Sequence, residues 1–214
     1  MKDYREKELK WYILAYLFLV VGTSNSGLVT SESVNLFNNI EHLLSSSLLA
    51  GVICTLSFVF DCLYTEKAKD LLLSLGFIPL PGKTIFSRIS MCKINDIRFD
   101  GEKALERYKD VISNLPLNKT EKDKYENINW YSLSRIHEGD PRVQTAHRDY
   151  LLCRDMYITT VSMILLTITS VVFKIIEFSW VSVGYLTAML ILTNIAAHFR
   201  AHRFVNSVMV ADIN

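Results

Sequence analysis

Three groups of residues in this chain could do chemistry by type and spacing. Gly82-Lys83-Thr84 ends like a phosphate-binding loop, in which a glycine-rich turn wraps phosphate in backbone amides and a lysine reaches the outer phosphates. That motif needs its first glycine at position 77, which is phenylalanine, and Gly76 comes one residue early. Pro79 and Pro81 also remove amide donors, so the segment reads as a turn rather than a nucleotide cradle. Arg142 and His147 form an Arg-x4-His pair: a fixed cation five residues from a group that exchanges protons near neutral pH. Acid–base cleavage is the chemistry such a pair could do, and packing beside a membrane with headgroup contacts is the alternative. Cys54, Cys62, Cys92 and Cys153 show neither CxxC nor His-x-Cys spacing, so no metal centre and no cofactor are expected.

The Arg142-x4-His147 spacing resembles the catalytic signature of HEPN-type ribonucleases, in which the two residues meet those of a second protomer to cleave RNA. The resemblance implies a membrane-bound ribonuclease with Arg142 and His147 as its catalytic residues. It covers six residues, and Val143 stands where that family usually has a polar side chain. Arg135, His137, Arg142, His147, Arg148 and Arg154 together could face nucleic acid or lipid headgroups. Residues 64–155 hold fourteen acids against sixteen Lys and Arg, which disfavours nonspecific nucleic-acid binding. Headgroup contact by Arg148 and Arg154 is the expectation.

These residues are positioned by a chain that is half hydrophobic, with a mean hydropathy of +0.21 and a net charge of +1 over 214 residues. The apolar residues gather in four blocks: Leu9 to Val21, Leu48 to Leu63, Met156 to Ile176 and Val181 to Ala197. A bilayer core about 30 Å thick takes roughly 17 to 25 helical residues. The expected fold is therefore mainly α and membrane-integral, with four spans at about 9–29, 40–63, 156–176 and 181–199. These pair into an N-terminal hairpin over 1–63 and a C-terminal one over 156–199. A mostly helical insert over 64–155 lies between the hairpins, and a tail over 200–214 follows the second. The first block is short before the polar run Gly22 to Gly27, and a cleaved signal peptide is its alternative reading. Asp3, Glu6 and Glu8 dilute the charged start that a signal peptide needs.

With four spans, every Lys and Arg except Lys174 falls on one side, and none occurs between Gly22 and Ser47. The positive-inside rule then puts both termini and the insert in the cytoplasm. Lys174, beside Glu177 and Trp180, marks the outer headgroup level. Asp61, Lys174 and His198 sit only at span ends, which gives no midplane ion relay. Ser47, Gly51 and Thr55, then Gly184 and Ala188, repeat at four-residue spacing that allows close helix approach, and Asn194 can bond across helices. The hydroxyls Thr159, Thr160, Ser162, Thr167, Thr169 and Ser170 read either as packing groups or as pore lining.

Within the insert, Glu66 to Leu75 is predicted helical and closed by Gly76. Ile85 to Phe99 alternates like a short β-hairpin, with Asn95-Asp96 as its turn. Asp100 is predicted to cap a helix from Gly101 to Leu115, and Thr120 to Asp123 reads as a capping box opening another. Asp140-Pro141 is a cap followed by a first-turn proline. No Pro or Gly follows until Gly184, so one helix is predicted from Pro141 to about Ile176, able to carry cytoplasmic changes into the membrane.

The plan resembles small multi-spanning proteins of bacterial anti-phage systems, and the resemblance rests on span count, size and the mixed insert. It implies a non-enzymatic, homo-oligomeric protein of the bacterial inner membrane, acting as a sensor or membrane-permeabilising effector. Its partners would be the bilayer and further copies of the chain. A membrane anchor that recruits a soluble cytoplasmic partner is the alternative.

Overall fold

The computed structural model describes residues 8–16, 55, 56, 59, 63–76, 78–174 and 177–214, which are mainly helical and contain no strand. Residues 8–16 are helical, and the later helices are α1 (Glu66–Leu73), α2 (Ile85–Ser90), α3 (Gly101–Arg107), α4 (Lys109–Ser113), α5 (Lys119–Ile136), α6 (Pro141–Val172) and α7 (Trp180–Ile213). Most of the first two predicted spans, with Ser47 and Gly51, lies outside the described residues. Among those described, α6 and α7 are the helices long and apolar enough to cross a membrane. At about 1.5 Å per residue they are about 48 and 51 Å long.

Local chemistry explains most boundaries. Asp140 Oδ1 accepts the Arg142 amide at 2.7 Å and so caps α6 at the predicted residue. Asp100 likewise accepts the Lys103 amide at 3.2 Å to open α3. The predicted Gly101–Leu115 helix is broken at Tyr108, whose ring is taken into the core. Asn118 rather than Thr120 caps α5, accepting the Thr120 amide at 3.0 Å. Leu75 and Gly76 adopt φ of 49° and 75° beyond α1, a left-handed exit that glycine makes without strain.

The expected β-hairpin over Ile85–Phe99 is corrected to the helix α2 followed by a loop. Ile85, Phe86 and Ile89 have helical spacing and all three are buried, whereas only Ile85 and Ile89 also fit the alternation that suggested a strand. The first turn of α2 is then held from outside: Glu126 of α5, 1% exposed, accepts the Ser87 backbone amide at 3.1 Å and also the Ser87 hydroxyl. A carboxylate at a helix N-terminus satisfies an amide that the short helix leaves open.

Two compact units result, Met1–Lys69 with Arg154–Asn194 and Asp70–Cys153 with Ile195–Asn214. In the first, Ile13 and Tyr16 pack with Met163 and Leu186. Tyr12 Oη and Thr160 Oγ1 lie 2.6 Å apart, and Tyr16 Oη bonds Thr167 Oγ1. The second unit has two clusters. Ile85, Phe86, Ile89, Ala104 and Tyr108 bury Val205 and Met209, while Val143 and Ala146 bury Phe204 and Val208. Trp130 and Leu133 of α5 touch both. Within residues 200–214, read as a tail, all but Asn214 belong to the last turns of α7, and they supply the middle of this core.

Candidate functional site

The apolar stretches of α6 and α7 are the candidate site. An apolar helix is either the core of a soluble protein or a membrane helix, and burial separates the two. In the most apolar eighteen residues, only 39% are buried on α6 and 22% on α7. Leu165, Ile168, Val172 and Phe173 point outward from the end of α6, and Trp180, Val181, Ile191, Leu192, Ile195 and Phe199 from α7. Phe178 and Trp180 meet edge to face at 5.0 Å at the start of α7. Single exposed apolar side chains are ordinary, but faces of this extent are not left to water.

Several hydroxyls in these stretches bond the backbone of their own helix. Thr160, Ser162, Thr167 and Thr169 each donate to the carbonyl four residues earlier at 2.8 to 3.1 Å, and Thr193 does so at 2.6 Å. Asn194 of α7 hydrogen-bonds Tyr157 of α6, a contact between the two helices. Gly184 and Ala188 are exposed, and a Cβ added at Gly184 would meet open space. Their close-approach surface is thus not used by the described residues of this chain. Thr55 is helical and exposed.

The structure does not bring Arg142 and His147 together. Five residues along a helix turn the side chains about 140° apart. The Arg142 guanidinium pairs with Asp140 at 3.2 Å and lines a surface cavity with Arg98 and Arg203. His147 instead stacks on Phe204 at 4.6 Å between ring centroids, with the planes 12° apart. Gly82 belongs to a 3-10 turn, Pro81–Lys83, whose Lys83 and Thr84 amides bond to Leu80 and Pro81 carbonyls. Its missing side chain makes room for Trp130, because a Cβ there would lie 2.8 Å from the indole. Gly82-Lys83-Thr84 is therefore a packing turn.

Of the expected headgroup residues, Arg148 is half-buried against Asp149 at 3.0 Å, and Lys174 is exposed with φ of 56° after α6. Arg154 is only 5% exposed, and its guanidinium is directed to protein carboxylates, Glu66 at 2.6 Å and Asp155 at 3.3 Å. The Glu66 contact spans 88 positions, which no local pattern announces.

Sequence reading also missed Asp212. Its carboxylate accepts from Arg107 Nε at 2.8 Å, Tyr108 Oη at 2.7 Å and His137 Nε2 at 2.9 Å, tying the end of α7 to α3 and to the C-terminal end of α5. Burial, reinforced by this carboxylate, pushes the Tyr108 phenol well above its usual range. Among the described residues no group of His, Cys, Asp and Glu is arranged to hold a metal ion. No family model matches the chain, no curated protein matches its sequence, and no solved structure matches its fold.

Proposed function

We propose that this chain is an oligomeric, non-enzymatic protein of a bacterial inner membrane, crossing it four times with the termini and the polar helices in the cytoplasm. Its role in this reading is that of a sensor or membrane-permeabilising effector in anti-phage defence. The observation that carries the membrane part is the outward apolar surface of α6 and α7, where only 39% and 22% of the most apolar stretch is buried. The placing of Lys and Arg supports the orientation. The effector role is supported by helix continuity. Both α6 and α7 contribute residues to the first unit and to the second, and no Pro or Gly interrupts α6 after Pro141. A shift in packing around Phe204 or Val143 would then be felt along the same helices that face lipid.

Membrane fractionation followed by a potential-sensitive dye tests both parts in cells expressing the chain. The expected result is alkali-resistant membrane retention, with depolarisation after phage challenge that cells lacking the chain do not show. Recovery in the soluble fraction ends the membrane reading, and an unchanged potential under every challenge ends the effector reading.

An anchor that recruits a soluble partner is the second reading. Ile128, Tyr131 and Ile136, exposed at helical spacing on α5, favour it. Ile128→Asp with Ile136→Asp distinguishes the two, since an effector keeps its depolarising activity and a recruiting anchor loses its protective one.

A further inference from the structure

The second unit carries a cavity of about 310 Å³ that none of the foregoing uses. Arg98, Arg142, Thr145, Asp149, Arg203 and Ser207 line it. Its three guanidiniums arrive from three segments: the loop after α2, the first turn of α6, and α7. No lysine lines it. Planar, fork-shaped guanidiniums match the paired oxygens of a phosphate better than an ammonium does.

Two of the three are held in place before any ligand arrives. Asp96 takes Arg98 in a two-pronged contact at 3.0 and 2.8 Å and is itself bonded by Asn206. Asp140 takes Arg142 at 3.2 Å. Each such pair leaves further N–H donors on the guanidinium. Asp149, the one carboxylate in the lining, is bridged by Arg148 at 3.0 Å and Arg200 at 3.2 Å, so its charge is offset locally. Arg203 is exposed and makes no ion pair among the described residues. The Thr145 hydroxyl donates to the Pro141 carbonyl at 2.8 Å, which fixes its orientation at the wall. The cavity thus keeps an excess of positive charge at a partly preorganised surface, at the small end of ligand-site volumes.

We infer that this cavity binds a small phosphorylated compound, with Arg203 and the outer faces of Arg98 and Arg142 holding the phosphate. The inference is independent of the membrane reading, because every lining residue belongs to the second unit. The phosphate could be that of a soluble metabolite or of a lipid headgroup, and the two arms of one experiment distinguish them.

In the first arm, the full chain in phosphatidylcholine nanodiscs is titrated calorimetrically with inorganic pyrophosphate and with ADP. Saturable binding is expected, weakened about tenfold by Arg203→Gln, as the loss of a charge-assisted contact implies. Arg135→Gln, whose guanidinium lies over the Tyr131 ring outside the cavity, should leave it unchanged. The second arm measures phosphatidic acid retained over phosphatidylcholine by the purified chain, with Arg203→Gln as comparison. Arg203-dependent binding in the first arm assigns a soluble ligand, and in the second arm alone a headgroup. Arg203→Gln removes no ion pair or hydrogen bond among the described residues, so thermal unfolding of the variant is expected to match the parent chain. The inference is overturned if neither arm shows Arg203-dependent binding, or if Arg135→Gln costs as much as Arg203→Gln.

Discussion

Phe204→Ala should be among the most damaging single changes available in the second unit. The side chain is 7% exposed and packs against His147, stacked at 4.6 Å, and Tyr150, near-parallel at 6.1 Å, with Trp130 edge-on at 5.5 Å. Truncating a buried phenylalanine costs about 3 to 5 kcal/mol. Each aromatic pair adds about 0.5 to 1.5 kcal/mol beyond burial, which places this site toward the upper part of that range. For a chain of 214 residues, roughly 1 kcal/mol moves the melting temperature by about 2 to 4 °C, so a fall of about 6 °C or more is expected. Trp130 reports the change directly once the exposed Trp11 and Trp180 are replaced by Phe. The assay is thermal unfolding of the full chain in detergent, followed by Trp130 emission. Phe204→Leu, which refills most of the volume, should recover more than half of the loss. A shift below about 0.5 kcal/mol, the range of ordinary surface changes, would refute the placing of the C-terminal segment in the core.

Gly82→Ala should destabilise the same unit by about 1 to 3 kcal/mol, since its methyl group would sit 2.8 Å from the Trp130 ring; chemical denaturation with Trp130 emission reads it, and an unchanged midpoint counts against the close packing. Asp212→Asn and Tyr108→Phe should each cost about 1 to 2 kcal/mol and be non-additive by about 1 kcal/mol in the double variant, and strict additivity would deny their hydrogen bond. Folding raises the Tyr108 pKa, so its contribution is complete below the unfolded value near pH 10 and is lost as pH rises beyond it. Tyr108→Phe should therefore flatten the alkaline limb of the stability curve. Gly184→Ile meets open space among the described residues, so it should leave the melting temperature unchanged while weakening energy transfer between labelled copies in liposomes; undiminished transfer removes Gly184 from any contact between copies.

What was legible in the sequence was mostly what local chemistry decides. Asp140-Pro141 and Asp100 cap their helices as read, and Gly76 takes the positive φ that its place beyond a helix implied. The apolar character of α6 and α7 follows from composition alone. Ile85 to Ile89 was ambiguous because Ile85 and Ile89 fit both periods, and only Phe86 departs from the alternation. Glu126, 39 positions from Ser87, tips that choice toward helix. The role of residues 200–214 was hidden for a similar reason. Phe204, Val205, Val208 and Met209 have core spacing, but a short segment after an apolar block reads as a tail until its partners on α2, α3 and α6 are known. Arg142 and His147 matched a spacing, and spacing on a helix does not bring side chains five apart to one face. Arg98, Arg142 and Arg203 form a cavity only because a loop and two helices meet there, a convergence that no linear pattern contains.

Spin labels placed singly at Leu165, Ile168, Ile191 and Leu192, in a chain whose four cysteines are replaced by serine, test the central claim most directly. The chain is reconstituted in liposomes, and each label is scored for collision with oxygen, which concentrates in lipid, against a water-soluble nickel chelate. A label at Thr145, exposed on the polar part of α6, serves as the aqueous reference. The account predicts high oxygen and low chelate accessibility at all four apolar positions and the reverse at Thr145. Chelate accessibility at Leu165, Ile168, Ile191 and Leu192 equal to that at Thr145 would contradict it.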